Sequence, residues 1–414
     1  MDHTTFTGAH DHAGFPLRRA LERLREGLYD PLAVRLLTAQ RETLEARLQD
    51  DWRRLEAGES VHLCVCGAYG HGKSHTLTYL RERSLEQGYV VSAINLDPRQ
   101  TPLHLLRLVY RALLHTMTFP TDSAESGSAV SLLDAWRAWA TAQTPSAENP
   151  SAALSTLLPA AMPHTFKAVL VALTQPTLHV PPGQRVLRQY RDYRPAEFSS
   201  LLQRALMGEA VPVARLRPAL KYRQVSFYHQ APLALQGDEP FLQMLETLPH
   251  LFRRMGYKGW VLLFDEAEAI TQVHLPWRAR SYRLLHRLLY PAAPRSGLYP
   301  VFAFTPGFFQ QLHEEDYDLW YFDRNYAQAW RELSVYYLRG LTRVAWQEIC
   351  DKLTAMHAAA YGWPADRDRL LAVLHARLQT LPLQDPRSTL KALVDELDQV
   401  QQQAFFAQRF GDED

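Results

Sequence analysis

The stretch that decides the fold is Cys66-Gly67-Ala68-Tyr69-Gly70-His71-Gly72-Lys73-Ser74-His75. Gly67, Gly72, Lys73 and Ser74 satisfy the spacing GxxxxGK(S/T), and Gly70 adds a further glycine inside the loop. Immediately before it, Ser60 to Cys66 ("SVHLCVC") is a short apolar run of the kind that forms a buried strand. Immediately after it, "SHTLTYLRERSLEQG" places Leu77 and Leu80 three apart, fills the outer face with Arg and Glu, and stops at Gly88, as a helix does. Strand, glycine loop and helix thus occur in the order that a phosphate-binding loop requires.

The residue types suit that chemistry. Glycines let backbone N–H groups turn inward and approach phosphate oxygens, and the helix N-terminus adds its positive dipole end. Gly67, Ala68, Tyr69, Gly70, His71, Gly72, Lys73, Ser74 and His75 are the expected nucleotide-binding set. Lys73 is placed to meet the β- and γ-phosphates of ATP, and the Ser74 hydroxyl to ligate Mg²⁺. Cys64 and Cys66 read as small core residues on one strand face, because no second pair completes a metal site.

A second stretch supplies what hydrolysis would need. In "GWVLLFDEAEAI", Trp260 to Phe264 is a fully apolar run that ends in Asp265-Glu266. It reads as a buried parallel strand presenting carboxylates at its C-terminal edge, where ligands of α/β sheets bind. This is a Walker B pattern: Asp265 would hold Mg²⁺ through its water shell, and Glu266 would polarise the attacking water. A third apolar run, Val301 to Phe304, ends at Thr305. Two readings of Thr305 stand side by side, a hydroxyl aimed at the γ-phosphate or its water, and an ordinary strand exit before Pro306.

Composition bounds the rest. With 414 residues and 47% hydrophobic content, the chain is long enough for two or three domains, or for one domain with a large insertion. No apolar run approaches the ~18 residues that a membrane span needs, and the N-terminus lacks the apolar core of a signal peptide. Three cysteines point to a reducing compartment, the bacterial-type cytoplasm. A formal net charge of +1 gives no global field toward nucleic acid, so any such binding must be local. Residues 1–14 hold His3, His10 and His12 without the periodicity or partner ligands of a metal site, and read as a disordered tail.

Over most of its length the chain resembles an AAA+ ATPase of the origin-recognition-like group, and more closely the P-loop ATP-binding proteins of BREX phage-defence loci. The resemblance is carried by "ALERLREGLYDPLAVRLLTAQ", "GAYGHGKSHTL", "LLQRALMGEA", "LFRRMGYKGWVLLFDEAEAI", "VFAFTPGFF", "LRGLT" and "DPRSTLKALVDELD". It implies an α/β fold: a P-loop NTPase core with five parallel strands at about 61–66, 89–96, 260–264, 300–304 and 334–338 and a C-terminal helical lid, to which this chain adds a large helical insertion. The implied division is a tail to residue 14, N-terminal helices and the first half of the core at 15–117, and the insertion at 118–240. The second half of the core follows at 241–340, then the lid at 341–400 and a tail at 401–414.

The resemblance also assigns roles. Glu266 becomes the catalytic glutamate, Thr305 the sensor-1 residue, and Arg387 the sensor-2 arginine that opens a lid helix. The competing reading of Arg387 is a surface cation in a helix's first turn. An arginine finger reaching ATP on a neighbouring copy would be Arg324 or Arg331. Partners implied are other defence proteins such as a helicase, nucleic acid, and further copies of the chain. Two departures from the origin-recognition pattern stand out: the stretch "QVQQQAFFAQRFGDED" after the lid cannot form a winged-helix DNA-binding domain, and the long segment at about 118–240 reads as a mostly helical insertion.

Two basic stretches are candidates for contact with nucleic acid. Arg185, Arg188, Arg191 and Arg194 recur every third residue with Tyr190 and Tyr193 interleaved, either a phosphate-tracking stripe or a solvated face. Arg280, Arg283 and Arg287 share one face of an amphipathic helix, to meet nucleic acid, an acidic neighbour or solvent. A non-hydrolysing nucleotide scaffold and a small-molecule kinase are the alternative functional readings. Full occupancy of the lysine, aspartate and glutamate positions weighs against the first, and the lack of a substrate motif against the second.

Overall fold

The computed structural model describes residues 14–28, 30–39, 41–120, 131–144, 150–175, 194–223, 225, 233, 235–291, 297–363, 367–380 and 385–410. Five strands form one sheet: β1 (Leu63–Cys66), β2 (Val90–Asn95), β3 (Trp260–Asp265), β4 (Leu298–Phe304) and β5 (Val335–Tyr337). Every neighbouring pair is parallel, in the order β2-β3-β4-β1-β5. The five expected strands are all present.

The helices in chain order begin with α1 (Phe15–Arg25), α2 (Pro31–Leu37), α3 (Glu42–Glu56), α4 (Lys73–Glu86) and α5 (Leu106–His115). Next come α6 (Leu132–Gln143), α7 (Pro150–Thr156), α8 (His164–Thr174), α9 (Pro195–Leu206) and α10 (Val213–Tyr222). The second half holds α11 (Glu239–Arg254), α12 (Leu275–Leu289), α13 (Pro306–Glu314) and α14 (Tyr326–Ala329). The last three are α15 (Arg343–Tyr361), α16 (Arg367–Thr380) and α17 (Pro386–Phe410).

Strands β1, β4 and β3 up to Phe264 are buried and apolar because helices cover both faces of the sheet. Alternate side chains part to opposite sides. Leu63, Val65, Val91, Val261, Leu263, Val301 and Ala303 pack with Leu48, Trp52 and Leu55 of α3 and Leu77 and Leu80 of α4. Their neighbours Cys64, Val90, Trp260, Leu262, Phe264, Phe302 and Phe304 join the opposite core with α5, α11 and α12. The helices α6 to α10 add to that second core, chiefly through α8, whose Phe166 and Ala168 to Leu173 are all buried. Helix α11 runs on through Pro249 and ends before Gly256, whose φ is +97°.

A third core lies apart from the sheet. Ala20, Leu21 and Leu24 of α1 and Ala33 and Leu37 of α2 pack with Trp346, Leu353, Leu374, Leu393, Val394 and Leu397 of α15 to α17. A polar clamp closes it. The Arg25 guanidinium donates two hydrogen bonds of 2.6 Å to the Asp398 carboxylate. Trp363 donates to His357 Nδ1 at 3.1 Å, so His357 Nε2 is the nitrogen that donates to Asp398, at 2.8 Å.

Candidate nucleotide site

In a parallel sheet all C-terminal strand ends face one way, and here they bring the expected residues together. The exit of β1 is the glycine loop, the exit of β4 is Thr305, and the exit of β3 is Asp265-Glu266. Because β4 lies between β1 and β3, Thr305 stands between the loop and the acids. The Gly67 N–H donates to the Phe304 carbonyl at 3.1 Å and so fixes the loop's first residue against β4.

The loop's conformation depends on its glycines. Gly70 and Gly72 have φ of +81° and +89°, a left-handed region that other residues enter only at a cost. Gly72 hands over directly to α4, whose N-terminus has no side-chain cap and no acid in its first turn. An uncapped helix N-terminus behind a glycine loop is what an anion requires. Lys73 is 9% exposed, and its Nζ donates to the carbonyls of Gly67 at 3.1 Å and Ala68 at 3.4 Å. The lysine therefore spans the loop from its helical end to its strand end. Ser74 is half-buried in the same turn.

Opposite the loop, Asp265 Oδ1 accepts the Glu266 N–H at 2.9 Å. Glu266 itself has φ +54° and ψ +37°, and it is the only non-glycine with a positive φ among the described residues. That backbone is strained for a residue with a Cβ, and strain of this kind persists only where the surroundings impose it. It swings the chain out of β3 into a 3-10 turn, Ala267–Gln272, and leaves the Glu266 side chain exposed beside the half-buried Asp265.

The same turn supplies a third acid that the motif did not single out. Glu268 is half-buried, and its Oε2 is enclosed without a hydrogen-bond partner. Burial pushes its carboxyl above the usual range; the Lys73 charge opposes that shift, and Asp265 and Glu266 add to it. The acid–Ala–acid spacing of Glu266 and Glu268 was visible in the sequence, but only the tight turn after β3 returns Glu268 toward Lys73.

Thr305 occupies the N-cap position of α13, yet its side chain makes no capping hydrogen bond. The hydroxyl is thus not spent on the helix that follows. Arg387 lies in the first turn of α17 and lines an open cleft. Leu24, Leu28, Val34, Leu37, His75 and Leu390 form most of its apolar wall. His75 is pushed down to about 4 by burial, and its Nε2 lies 2.9 Å from Thr38 Oγ1, so a neutral imidazole faces the cleft.

The remaining candidates separate. Arg324 Nη1 lies 2.7 Å from His286 Nε2, with Nε 3.4 Å from Asp323, whereas Arg331 is exposed just beyond α14. The arginines of α12 meet acids of the chain itself: Arg280 with Asp238 at 2.5 Å, Arg287 with Glu239 at 3.0 Å and Arg283 with Asp323 at 3.8 Å. These arginines pair within the chain while staying 36%, 42% and 52% exposed, so the face is both ion-paired and solvated. Arg185, Arg188 and Arg191 lie outside the described residues, and Arg194 is exposed directly before α9.

The parts fit a nucleoside triphosphate: a left-handed glycine loop, an uncapped helix end, a buried lysine, and acids on a neighbouring strand end. Among the described residues, no group of three or more His, Cys, Asp or Glu side chains could hold a metal by itself. A cation here would rely on phosphate oxygens, as Mg²⁺ usually does. No helix among the described residues is long and apolar enough to cross a membrane.

Comparison with known proteins gives no match among curated sequences and none among solved structures. A family profile described as "BREX system ATP-binding protein BrxC/D" matches residues 17–410, nearly the whole chain and every residue of the site. The loop, the acids and Arg387 all lie within that match, and the chain belongs to the BREX system ATP-binding proteins of the BrxC/D family.

Proposed function

We propose that this chain hydrolyses ATP as an AAA+-like motor or switch within a phage-defence system. The observation that carries the reading is Glu266, an exposed carboxylate on a strained backbone beside Asp265, one strand away from Thr305 and two from the phosphate loop. In this reading the loop N–H groups and Lys73 hold the phosphates, and the cleft between α1, α2 and α17 takes the base. Ser74 and Asp265 hold Mg²⁺, which when bound would neutralise charge on the phosphates. Glu266 orients and polarises the attacking water. Thr305 steadies that water or the γ-phosphate from the neighbouring strand, and Arg387 closes over the phosphates from the lid.

The wider role extends this reading. The protein would act in the cytoplasm with other defence proteins such as a helicase, and on nucleic acid through Arg185, Arg188, Arg191 and Arg194. A neighbouring copy would complete the site with Arg324 or Arg331. The test is Glu266→Gln, which keeps the side-chain shape and the Asp265 ligand but weakens the acceptor. ATP binding survives and phosphate release falls, measured alone and with DNA or partner added. A wild type without turnover under any of these conditions, matched by the mutant, would assign the protein to the non-hydrolysing scaffolds.

A further inference from the structure

We infer that Asp385 is a specificity-determining residue of the nucleotide site, a fixed anion at the mouth of the loop that weighs against each added phosphate. The inference rests on the reading of the loop as the phosphate cradle. Its ground is a contact across the whole chain. A Cβ built on Gly70 would lie 3.4 Å from Asp385 Oδ1, so the carboxylate sits in van der Waals range of the loop's tip. The residues whose amides would face phosphate follow Gly70 directly, which puts this charge roughly 5–8 Å from any phosphate held there.

The carboxylate is not free to turn away. Oδ1 accepts the Arg387 N–H at 3.1 Å, and Oδ2 accepts the Ser388 hydroxyl at 2.6 Å, so both oxygens are tied to the first turn of α17. The Ser388 and Arg387 hydrogen bonds hold it below the usual carboxylate range, so it is charged at neutral pH. The same turn carries Arg387 into the cleft wall. One helix start therefore presents a cation to the cleft and an anion to the loop, two residues apart. The cation favours any bound phosphate, and the anion opposes it more strongly as the phosphate chain lengthens.

Capping and charge are separable, since Asn and Ser cap helices about as well as Asp. Calorimetry on wild type, Asp385→Asn and Asp385→Ser would use adenosine, Mg·ADP and Mg·ATP at low and high salt. Both variants should bind ADP about threefold and ATP about tenfold tighter than wild type, with adenosine unchanged and the gains shrinking at high salt. Unaltered or weakened ATP affinity in both variants, or a gain as large for adenosine as for ATP, overturns the inference and leaves the loop assignment standing. A wild type that binds neither ADP nor ATP overturns the loop assignment and the inference together.

Discussion

Replacing Glu266 by Ala and by Gly tests whether the site stores backbone strain. At φ +54° and ψ +37° the residue occupies the left-handed region, which costs an L-residue about 1–2 kcal/mol. Alanine keeps that cost, whereas glycine escapes it. Glycine instead loses more chain freedom on folding, by about 0.5–1 kcal/mol relative to alanine. The difference leaves Glu266→Gly more stable than Glu266→Ala by about 0.5–1 kcal/mol. For a chain of this size that is a melting difference of about 1 °C, within reach of paired thermal scans. Both variants lack the carboxylate, so any difference between them reports the backbone and not the chemistry. A glycine variant less stable than the alanine variant by the usual margin would show an ordinary backbone at Glu266, and the strain argument would fail.

Two further outcomes follow from the geometry. Lys73→Ala removes the ammonium that bridges the Gly67 and Ala68 carbonyls and would meet the phosphates. ATP affinity should fall by about 1.5–3 kcal/mol in calorimetry, the range for charge-assisted contacts. The second concerns Asp398, whose carboxyl burial would raise, but which hydrogen bonds from His357 and Arg25 hold below the usual range. A depressed folded value means that the stability it contributes is present above the unfolded value of about 3.9 and fades as pH falls through the folded one. Asp398→Asn should therefore melt below wild type at pH 7, with the gap closing below about pH 4. A gap of unchanged size from pH 7 down through acid unfolding would refute the linkage.

What the sequence made legible is local. Three strands could be read from the residues because their short apolar runs end at Gly67, at Asp265 or before Pro306, whereas β2 and β5 came only with the family resemblance. The phosphate loop was legible for the same reason: a left-handed turn before a helix needs glycine, and Gly70 and Gly72 stand where it is needed. Glu266's backbone was not legible, because nothing in its side chain favours positive φ. The turn after β3 imposes it, and the same turn brings back Glu268. The α12 arginines looked unpaired because Asp238 and Glu239 lie more than forty residues upstream of Arg280 and Arg287. Asp385 beside Gly70, and Arg25 beside Asp398, are contacts between the two ends of the chain that periodicity cannot reveal.

The shared core of α1, α2 and α15 to α17 dictates an order of assembly. Ala20, Leu21, Leu24 and Leu37 emerge during synthesis about 350 residues ahead of Leu393, Val394 and Leu397, which cover them. The sheet and its flanking helices can close once β5 has been made, but the early helices must wait with apolar faces bare. Contacts of such long sequence separation form slowly, since loop closure precedes their reward. The cleft lined by Arg387 is walled by those waiting helices, so the nascent protein completes its glycine loop long before it completes that cleft.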